Sequence, residues 1–400
     1  MKSKGNIGIL GTVRYVLLFC VIVAGLMTIV ATSGPGGSGS SSEGSGTGTL
    51  SVGLTDAFTD DYKAVYVTIS EVRVHMPGGD FETVAFPGKT YNLLELVNGL
   101  VAELALTDLE AGDYTQMRLI LGSDPDDGNN ILGTPHPFAN YVIDRSDNEF
   151  ELKTPSAQQS GIKIVHGFTI NDGGVTELVL DFDAQRSVVK TGNLKYLLKP
   201  TIKVIDTAVS STVSGIVTVG TAGIEGEGVE GVFVSAQIYD ESAVNKEDEV
   251  HIQASTITDE NGAYKMILDA GTYNVVAYKN GYFLSCKNVV IEPGSDFTGE
   301  DLPLIGANTG TVSGYVEITG DGKDDSAILS FRQEAECTGG SAPEQVEVKS
   351  LNVVNKGNYS EEILPEGTYD LVASSVGRIT QADGIIVTSG ENSESYILFP

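Results

Sequence analysis

The sequence predicts an all-β protein in which three tandem β-sandwich domains follow an N-terminal signal or anchor segment. Its 400 residues include 48 glycines and no tryptophan, and glycine-containing turns separate short runs rich in Val, Ile, Thr and Tyr. This composition is typical of β-strands. Two phrases recur: Leu-x-x-Gly-x-Tyr occurs three times, and TVSG occurs at 212–215 and again at 311–314. Such recurrence indicates consecutive domains of similar architecture.

The first 31 residues have the layout of a signal peptide or signal anchor. Lysines and an arginine precede the apolar run YVLLFCVIVAGLMTIVA, which ends in small residues. This layout is typical of secretory signals, and the run is close to the lower length limit of a membrane span. The rest of the chain is therefore expected to be extracytoplasmic, tethered or secreted, in the periplasm or at the cell surface. Cleavage of the signal and acylation of Cys20 stay open, as does the choice of membrane.

Residues 32–48 form a Gly/Ser-rich linker without an apolar residue to bury, and this composition predicts a flexible tether. The next domain is predicted at 49–208. Its segment AVYVTISEVRVH changes the phase of its apolar alternation halfway, which indicates a β-bulge. Its segment NLLELVNGLVAEL, at 92–104, has apolar residues at helical spacing and predicts a helix that Gly99 keeps short or broken.

The three Leu-x-x-Gly-x-Tyr phrases are LEAGDY, LDAGTY and LPEGTY, and they end at Tyr114, Tyr273 and Tyr369. Each lies just before an apolar alternation. A tyrosine at the start of a strand can pack its ring into the core and bond its hydroxyl to nearby backbone. We therefore interpret these three tyrosines as structural corners that begin late strands of the sandwiches.

Two further β-sandwiches are predicted at 209–306 and 307–400, because the TVSG and tyrosine phrases recur there in the same order. TDENGAY contains Asn-Gly and predicts a hairpin-type turn. The segments GVEGVFVSAQ, TDENGAYKMILDAGTYNVVAYKNGY and NVVIEPG make 209–306 resemble a carboxypeptidase regulatory-like domain. NKGNYSEEILPEGTYDLVASSVG makes 307–400 resemble a second, more divergent copy. The resemblance implies accessory, transthyretin-like sandwiches of the carbohydrate-binding-like fold group.

The first domain resembles a domain-of-unknown-function family that is common in surface lipoproteins of bacteria and archaea. The resemblance rests on GTLSVGLTDAFTDDYKAVYVTISEVRVH, TYNLLELVNGLVAEL, LEAGDYTQMRLIL, SGIKIVHGFTI and LVLDFDAQRSVVKTGNLKYLLKPTIKVID. It covers 48–208 almost completely. It implies a location in the prokaryotic cell envelope and no particular chemistry.

The charge and the motifs exclude several classes of function. A net charge of −30 repels phosphate backbones and anionic lipids. We therefore expect no nucleic-acid partner, and membrane contact through the N-terminal segment only. The sequence has no H-E-x-x-H, no G-x-S-x-G and no phosphate-binding glycine loop. We predict no enzymatic activity, no catalytic residue and no organic cofactor.

Calcium is the one cofactor that the sequence suggests. LDFDA places Asp181 and Asp183 on one face of a strand, and TDAFTDD contributes Asp56. Carboxylate oxygens are the ligands that calcium prefers, so these three residues are the candidate metal ligands. The alternative is that the Asp- and Asn-rich stretches simply form turns.

The exported part of the chain contains two cysteines, Cys286 and Cys337, which fall in different predicted domains. They either form a disulfide or remain two buried thiols, and the sequence favours the thiols because spacing alone does not establish the short separation that a disulfide needs.

The predicted function is that of a non-enzymatic cell-envelope protein, a structural or interaction module displayed outside the cytoplasm. Its partner would be an envelope protein or a polysaccharide. The alternatives are a carbohydrate-binding protein and a calcium-dependent surface adhesin. Tyr278 and Tyr282 are the tyrosines expected to be exposed for a sugar. The oligomeric state stays open.

Overall fold

The computed structural model confirms the all-β fold, with 62% of residues in strands and 3% in helices, arranged as tandem β-sandwich domains. It describes residues 46–59, 61–154, 157–191, 195–220, 226–320, 326–378 and 380–400. The predicted signal segment at 1–31 lies outside the described residues, and so does nearly all of the predicted linker at 32–48. Across the described ranges, no helix has the length and hydropathy of a membrane span.

Domain one comprises the first fifteen strands, one short α-helix and one 3-10 helix. The elements are β1 (Thr47–Ala57), β2 (Ala64–His75), β3 (Phe81–Ala85), β4 (Lys89–Asn92), a 3-10 helix (Leu93–Glu95), β5 (Ala102–Glu110), β6 (Gly112–Tyr114), β7 (Gln116–Leu121), β8 (Asn140–Ile143), β9 (Glu149–Lys153), β10 (Ile162–Ile164), β11 (Phe168–Ile170), β12 (Val175–Asp183), α1 (Ala184–Ser187), β13 (Val188–Thr191), β14 (Lys195–Leu198) and β15 (Ile202–Asp206).

Two sheets enclose the core of domain one. The smaller sheet has the order β15-β12-β1-β5, with β1 and β12 parallel. The larger has the order β10-β7-β2-β8-β9-β14-β13, with β3 and β4 also paired to β2. A separate pair joins β11 to β6. Alternate residues of β1 and β12 are fully buried, such as Leu54 and its partner Leu180, because successive side chains of a strand point to opposite faces.

The predicted β-bulge in β2 is confirmed, and the predicted helix at 92–104 is wrong. The register between β2 and β7 shifts between Ile69 and Glu71, where the apolar phase changes. At 92–104 the chain forms only a single 3-10 turn before β5. Asn98 and Gly99 take left-handed backbone conformations, with φ of 59° and 73°, which a helix cannot continue through. The side-chain oxygen of Asn98 accepts a hydrogen bond from the backbone nitrogen of Lys265, so a contact with another domain holds this turn.

Domain two comprises nine strands and a 3-10 helix. They are β16 (Ser210–Val219), β17 (Glu227–Gly228), β18 (Phe233–Tyr239), a 3-10 helix (Lys246–Glu249), β19 (Val250–Ile257), β20 (Ala263–Asp269), β21 (Gly271–Tyr278), β22 (Tyr282–Phe283), β23 (Ser285–Ile291) and β24 (Leu302–Gly306). One sheet has the order β17-β16-β24-β22 with β20 paired to β16, and the other has the order β19-β18-β21-β23.

The TDENGAY segment forms the expected tight turn but not a hairpin. One side-chain oxygen of Asp259 accepts hydrogen bonds from the backbone nitrogens of Asn261 and Ala263, each 2.9 Å long. Gly262 has a φ of 76°. The strands on either side, β19 and β20, belong to different sheets, so the turn carries the chain from one layer of the sandwich to the other.

Domain three comprises the last seven strands. They are β25 (Thr309–Ile318), β26 (Ser326–Ala335), β27 (Glu344–Val354), β28 (Gly357–Pro365), β29 (Gly367–Ser374), β30 (Gln381–Val387) and β31 (Asn392–Phe399). A sheet of order β28-β25-β31 faces one of order β27-β26-β29-β30. The fully buried side chains of Phe331, Tyr369 and Phe399 fill the space between them.

All three corner tyrosines make the same hydrogen bond. The hydroxyls of Tyr114, Tyr273 and Tyr369 each donate to the carbonyl oxygen of the residue four positions earlier, at 3.0, 3.0 and 2.9 Å. Each ring is buried in its own domain core. The repeated phrase therefore closes the turn before a strand by joining a core ring to the backbone on the other side of the turn.

Replacing Tyr369 with phenylalanine is expected to lower the free energy of unfolding by about 1 kcal/mol, because a buried carbonyl loses its donor while the ring still fills the core. Urea denaturation measures this change. Tyr396→Phe is the matched control, since Tyr396 is exposed and its hydroxyl donates to the Glu394 carboxylate. If the two variants had equal free energies of unfolding, the Tyr369 hydrogen bond would contribute nothing measurable to stability.

Candidate functional site

Domains two and three are joined covalently. Cys286 on β23 and Cys337, just after β26, form a disulfide, with their α-carbons 4.5 Å apart. The interpretation of two separate buried thiols is therefore wrong. Sequence spacing could not show this, because the cysteines are 51 positions apart and only the packing of two domains brings them together. Val276, Ala335 and Val346 bury the bond in a small apolar cluster.

Backbone pairing continues from the disulfide along the same interface. The nitrogen of Thr338 donates to the carbonyl of Cys286 at 2.9 Å, and the nitrogen of Asn288 donates to the carbonyl of Thr338, also at 2.9 Å. The side-chain nitrogen of Asn274 donates to the carboxylate of Glu344 at 2.6 Å. Domain three thus extends the hydrogen bonding of the edge strand β23.

Buried polar side chains add further bonds between domains two and three. The Gln237 amide donates to the carbonyl of Glu347 at 2.7 Å and accepts from its backbone nitrogen at 2.8 Å. The Arg332 guanidinium donates to the carbonyl of Lys246 at 2.6 Å. Within domain three, the Ser330 hydroxyl donates to the Glu347 carboxylate at 2.6 Å and so holds the residue whose backbone bonds Gln237. Gln237, Arg332 and Glu347 are almost fully buried, so these bonds fix one orientation of the two domains.

Domain one packs against both of the other domains. The Gln185 amide on α1 donates to the hydroxyl and the carbonyl of Ser350 in domain three, at 2.9 and 3.2 Å. The rings of Phe58 and Phe233 lie 6.0 Å apart across the boundary between domains one and two. Lys203 forms an ion pair with Asp269 at 3.2 Å. The described residues from 46 onward accordingly belong to one compact unit.

The three candidate calcium ligands lie on the paired strands β1 and β12, but on two faces of that sheet. Asp56 pairs with Phe182. Both lie on the core face of the sheet, two positions after the buried Leu54 and Leu180. Asp181 and Asp183 pair with Thr55 and Ala57, on the opposite face. Because paired residues of parallel strands share a face, the sheet separates Asp56 from the other two carboxylates.

Two of these carboxylates already accept hydrogen bonds inside the protein. One oxygen of Asp56 accepts from the backbone nitrogen of Ala184 at 3.0 Å, and the other has no hydrogen-bond partner in the described structure. Asp183 caps α1 by accepting from the backbone nitrogen of Arg186 at 2.9 Å. Asp181 lies opposite Lys203 on β15. Among the described residues, no group of three or more His, Cys, Asp or Glu side chains is arranged to hold a metal ion.

Burial makes the three carboxylates hard to ionise. Burial, together with the charge of Asp183, raises the pKa of Asp181 to about 7, and the charge of Lys203 opposes this increase. Burial also raises the pKa of Asp56 well above its usual range, and the charges of Asp181 and Asp183 add to this increase. Burial raises the pKa of Asp183 despite the nearby charge of Arg186. Desolvation disfavours the charged form of a carboxyl group.

Calcium removal is expected to leave the melting temperature unchanged, because the sheet divides the three candidate ligands and Lys203 and Arg186 already provide positive charge beside two of them. Differential scanning fluorimetry with chelator and with millimolar calcium measures this. A calcium-dependent increase that Asp181→Asn abolishes would establish a metal site at these carboxylates.

Two adjoining cavities open where the three domains meet. The smaller, of about 110 Å³, has Asp181, Asp183 and Arg186 in its wall. The larger, of about 360 Å³, is lined from domain one, domain two and domain three together, and the charged residues in its wall that the structure describes are Arg145, Lys279, Lys349 and Glu347. Phe58 and Phe233 line both cavities.

Sequence reasoning missed this junction because its residues lie on strand faces that look solvent-facing in the sequence. In GVFVSAQI the alternation places Val234 in the core and Gln237 outside, yet Gln237 faces domain three and is almost fully buried. Tyr278 was expected to be exposed, but it is buried beside the larger cavity and its hydroxyl donates to Asn280. The available signal was the outer face of β18, where Ser235 and Gln237 stand between the aromatic residues Phe233 and Tyr239.

One family model matches the region of domain one. Residues 47–200 match the model of a family described as a domain of unknown function, DUF4382. No curated protein matches this sequence.

Matches to solved structures include the TIE protein of Bacillus anthracis, at 16% identity and a TM-score of 0.18, covering 89% of this chain and 51% of that one. They also include the shaft pilin SpaA of Lactobacillus rhamnosus GG, at 10% identity and a TM-score of 0.20, covering 48% and 97%. A minor pilin of Streptococcus agalactiae matches at 13% identity and a TM-score of 0.19, covering 48% and 95%. Matches with TM-scores this low do not bear on the function of this chain.

Proposed function

We propose that this protein is a non-enzymatic module of the cell envelope, displayed outside the cytoplasm, in which three sandwiches act as one rigid body. The observation that carries the proposal is the covalent and hydrogen-bonded joint between domains two and three, built around the Cys286–Cys337 disulfide. A freely hinged chain of domains would need neither the disulfide nor the buried Gln237 and Arg332 bonds.

Three features support a location outside the cytoplasm. Disulfides form and persist mainly in oxidising compartments, and this bond joins the two cysteines among the residues that the structure describes. The N-terminal 31 residues have the layout of an export signal or anchor. The large negative charge suits a soluble surface that does not adhere to anionic lipids.

A structural or interaction role follows from how the buried polar groups are used. The Gln237 amide and the Arg332 guanidinium bond backbone atoms across the boundary between domains two and three, and the Glu347 carboxylate accepts from Ser330 within domain three. Polar groups of an enzyme site would instead converge on a space for a reacting substrate. These groups therefore fix the relative orientation of the domains. Domains in a fixed orientation present the same outer surface to a partner at all times.

The oxidation state of the two cysteines in living cells tests the location. Cells that express the full chain are lysed in a thiol-blocking denaturant, and the protein is then treated with a polyethylene-glycol maleimide before or after reduction. We expect reduction to expose two additional reactive thiols, which the Cys286→Ser/Cys337→Ser variant lacks. If reduction exposes neither of these thiols, both were free and became blocked at lysis, which would indicate a reducing compartment and contradict the proposal.

Exposure of the folded domains to the outside is tested separately, with a membrane-impermeant amine reagent on intact cells. Labelling of intact cells would place the domains at the surface, and labelling only after the outer barrier is opened would place them in the periplasm. Labelling only after full lysis would contradict display outside the cytoplasm.

A further inference from the structure

Domain three contains an acceptor motif for an N-linked glycan. The motif Asn-x-Ser/Thr, with x other than Pro, occurs at one place in the sequence, Asn358-Tyr359-Ser360. It is the site at which exported proteins receive glycans on the asparagine amide. Three residues match such a motif easily by chance, so its place in the fold decides whether it is usable. A usable acceptor needs an asparagine and a hydroxyl residue that both reach solvent.

The fold presents this motif to solvent. It lies near the start of β28, which is at the edge of the sheet β28-β25-β31. Asn358 and Ser360 are exposed, whereas Tyr359 between them is buried and its hydroxyl donates to the carbonyl of Ser395 at 2.8 Å. Because successive side chains of a strand point to opposite faces, the anchored ring of Tyr359 directs both acceptor residues outward.

The face on which Asn358 lies also carries tyrosines. Asn358 pairs with Tyr315 on β25, and Tyr315 pairs with Tyr396 on β31, so the three residues form one row across the sheet. Tyr396 is 69% exposed, and Leu398 on the same face of β31 is 54% exposed. Two strand spacings, about 10 Å, separate the ends of the row. Pyranose rings have an apolar C–H face that packs on aromatic rings, so a short glycan on Asn358 has a surface to lie on.

The position also bears on the edge of the sheet. An edge strand presents backbone N–H and C=O groups with which a strand of another molecule can pair. Ile363, further along β28, is 49% exposed and adds apolar surface to this edge. A bulky hydrophilic group on Asn358 would obstruct the approach of another strand, in the same way as the charged residues that protect other edge strands.

We propose that Asn358 carries an N-linked glycan, which covers the edge of β28 and the row of Tyr315 and Tyr396. The donor is a lipid-linked oligosaccharide. Its anomeric carbon loses the bond to the pyrophosphate and forms a bond to Nδ2 of Asn358, and the lipid pyrophosphate and one amide proton are released. The inference rests on the proposed location, because this transfer takes place on the outer side of the membrane.

Peptide mass spectrometry of the full chain, purified from the cells that naturally make it, tests the proposal. Trypsin cuts after Lys356 and Arg378, so the peptide 357–378 contains Asn358 as its only asparagine. We expect this peptide to carry the mass of an oligosaccharide. Fragmentation that preserves the sugar bond should place that mass on Asn358.

Variants at the motif, made in the same cells, separate the acceptor from its surroundings. Asn358→Gln and Ser360→Ala are each expected to lose the sugar mass completely, whereas Ser360→Thr keeps the motif and should retain it. The two Ser360 variants are a matched pair, because both leave Asn358 in place and change one exposed side chain. Light scattering should then show that Ser360→Ala self-associates at a lower protein concentration than Ser360→Thr. Melting curves show whether each variant is folded.

An unmodified peptide 357–378, or a sugar mass that persists in Asn358→Gln, would overturn the glycan on Asn358. Equal self-association of the Ser360→Ala and Ser360→Thr variants would overturn its covering role. An unmodified peptide in a protein whose disulfide is intact would refute the glycan alone. An unmodified peptide together with reduced cysteines in the thiol-labelling experiment would refute the location on which the glycan depends.

Discussion

Loss of the Cys286–Cys337 disulfide is expected to lower the free energy of unfolding by about 4 kcal/mol, the chain-entropy estimate for a closed loop of this length. The bond closes a loop whose ends are 51 positions apart, so its removal frees a long segment of the unfolded chain. It also releases domain three from β23. Thermal or urea denaturation of the full chain with and without reductant measures the loss.

The Cys286→Ser/Cys337→Ser variant provides the control, because it should have the stability of the reduced protein and should not respond to reductant. If reductant leaves the wild-type transition unchanged, while alkylation shows that the bond has been broken, the disulfide is not a stabilising joint and the rigid-body account loses its covalent support.

Asp181→Asn is expected to stabilise the protein above pH 7 and to have little effect near pH 4. Burial raises the folded-state pKa of Asp181 to about 7, from 3.8 for an unperturbed aspartate. Between these values the folded state holds a proton that the unfolded state releases, so stability falls as the pH rises through this window. Each pKa unit corresponds to about 1.4 kcal/mol, and the gain above pH 7 is on the order of 2 to 4 kcal/mol.

Urea denaturation at pH 4.5 and pH 8 measures the difference between the wild type and the variant. Asp124→Asn removes an exposed carboxylate of the same kind and should change stability equally little at both pH values. A variant that is less stable than the wild type at pH 8 would mean that ionised Asp181 is held by its partner Lys203 more strongly than burial penalises it, and the electrostatic account of this sheet face would fail.

Local features of this fold could be predicted because local sequence determines them. The apolar alternation in AVYVTISEVRVH changes phase, and one extra residue in the strand is needed to keep both halves facing the core. The bulge lies at that place. The tyrosine phrase encodes both ends of one hydrogen bond within five residues, as in Asp269 and Tyr273. The helix prediction at 92–104 was wrong because the contact of Asn98 with Lys265 comes from another domain and overrides local helical periodicity.

The candidate site could not be predicted because it depends on how the domains pack. Phe58, Gln237 and Lys349 are unremarkable in sequence, and each becomes informative only when a surface of another domain covers it. The calcium interpretation took three aspartates as one group, but the parallel pairing of β1 with β12 places Asp56 on the core face and Asp181 on the other. Pairing between strands more than a hundred residues apart is not encoded in any short motif.

The most direct test of the central claim, that the three sandwiches form one rigid body, is a distance measurement between domains one and three by double electron–electron resonance. Spin labels are attached at Lys163→Cys on β10 and at Val376→Cys, an exposed position after β29, in a Cys20→Ser background that keeps the disulfide. Our account predicts one narrow distance distribution that broadens in the Cys286→Ser/Cys337→Ser variant. A broad distribution in the oxidised protein would show that the domains move independently, and would contradict both the rigid module and the shared cavity.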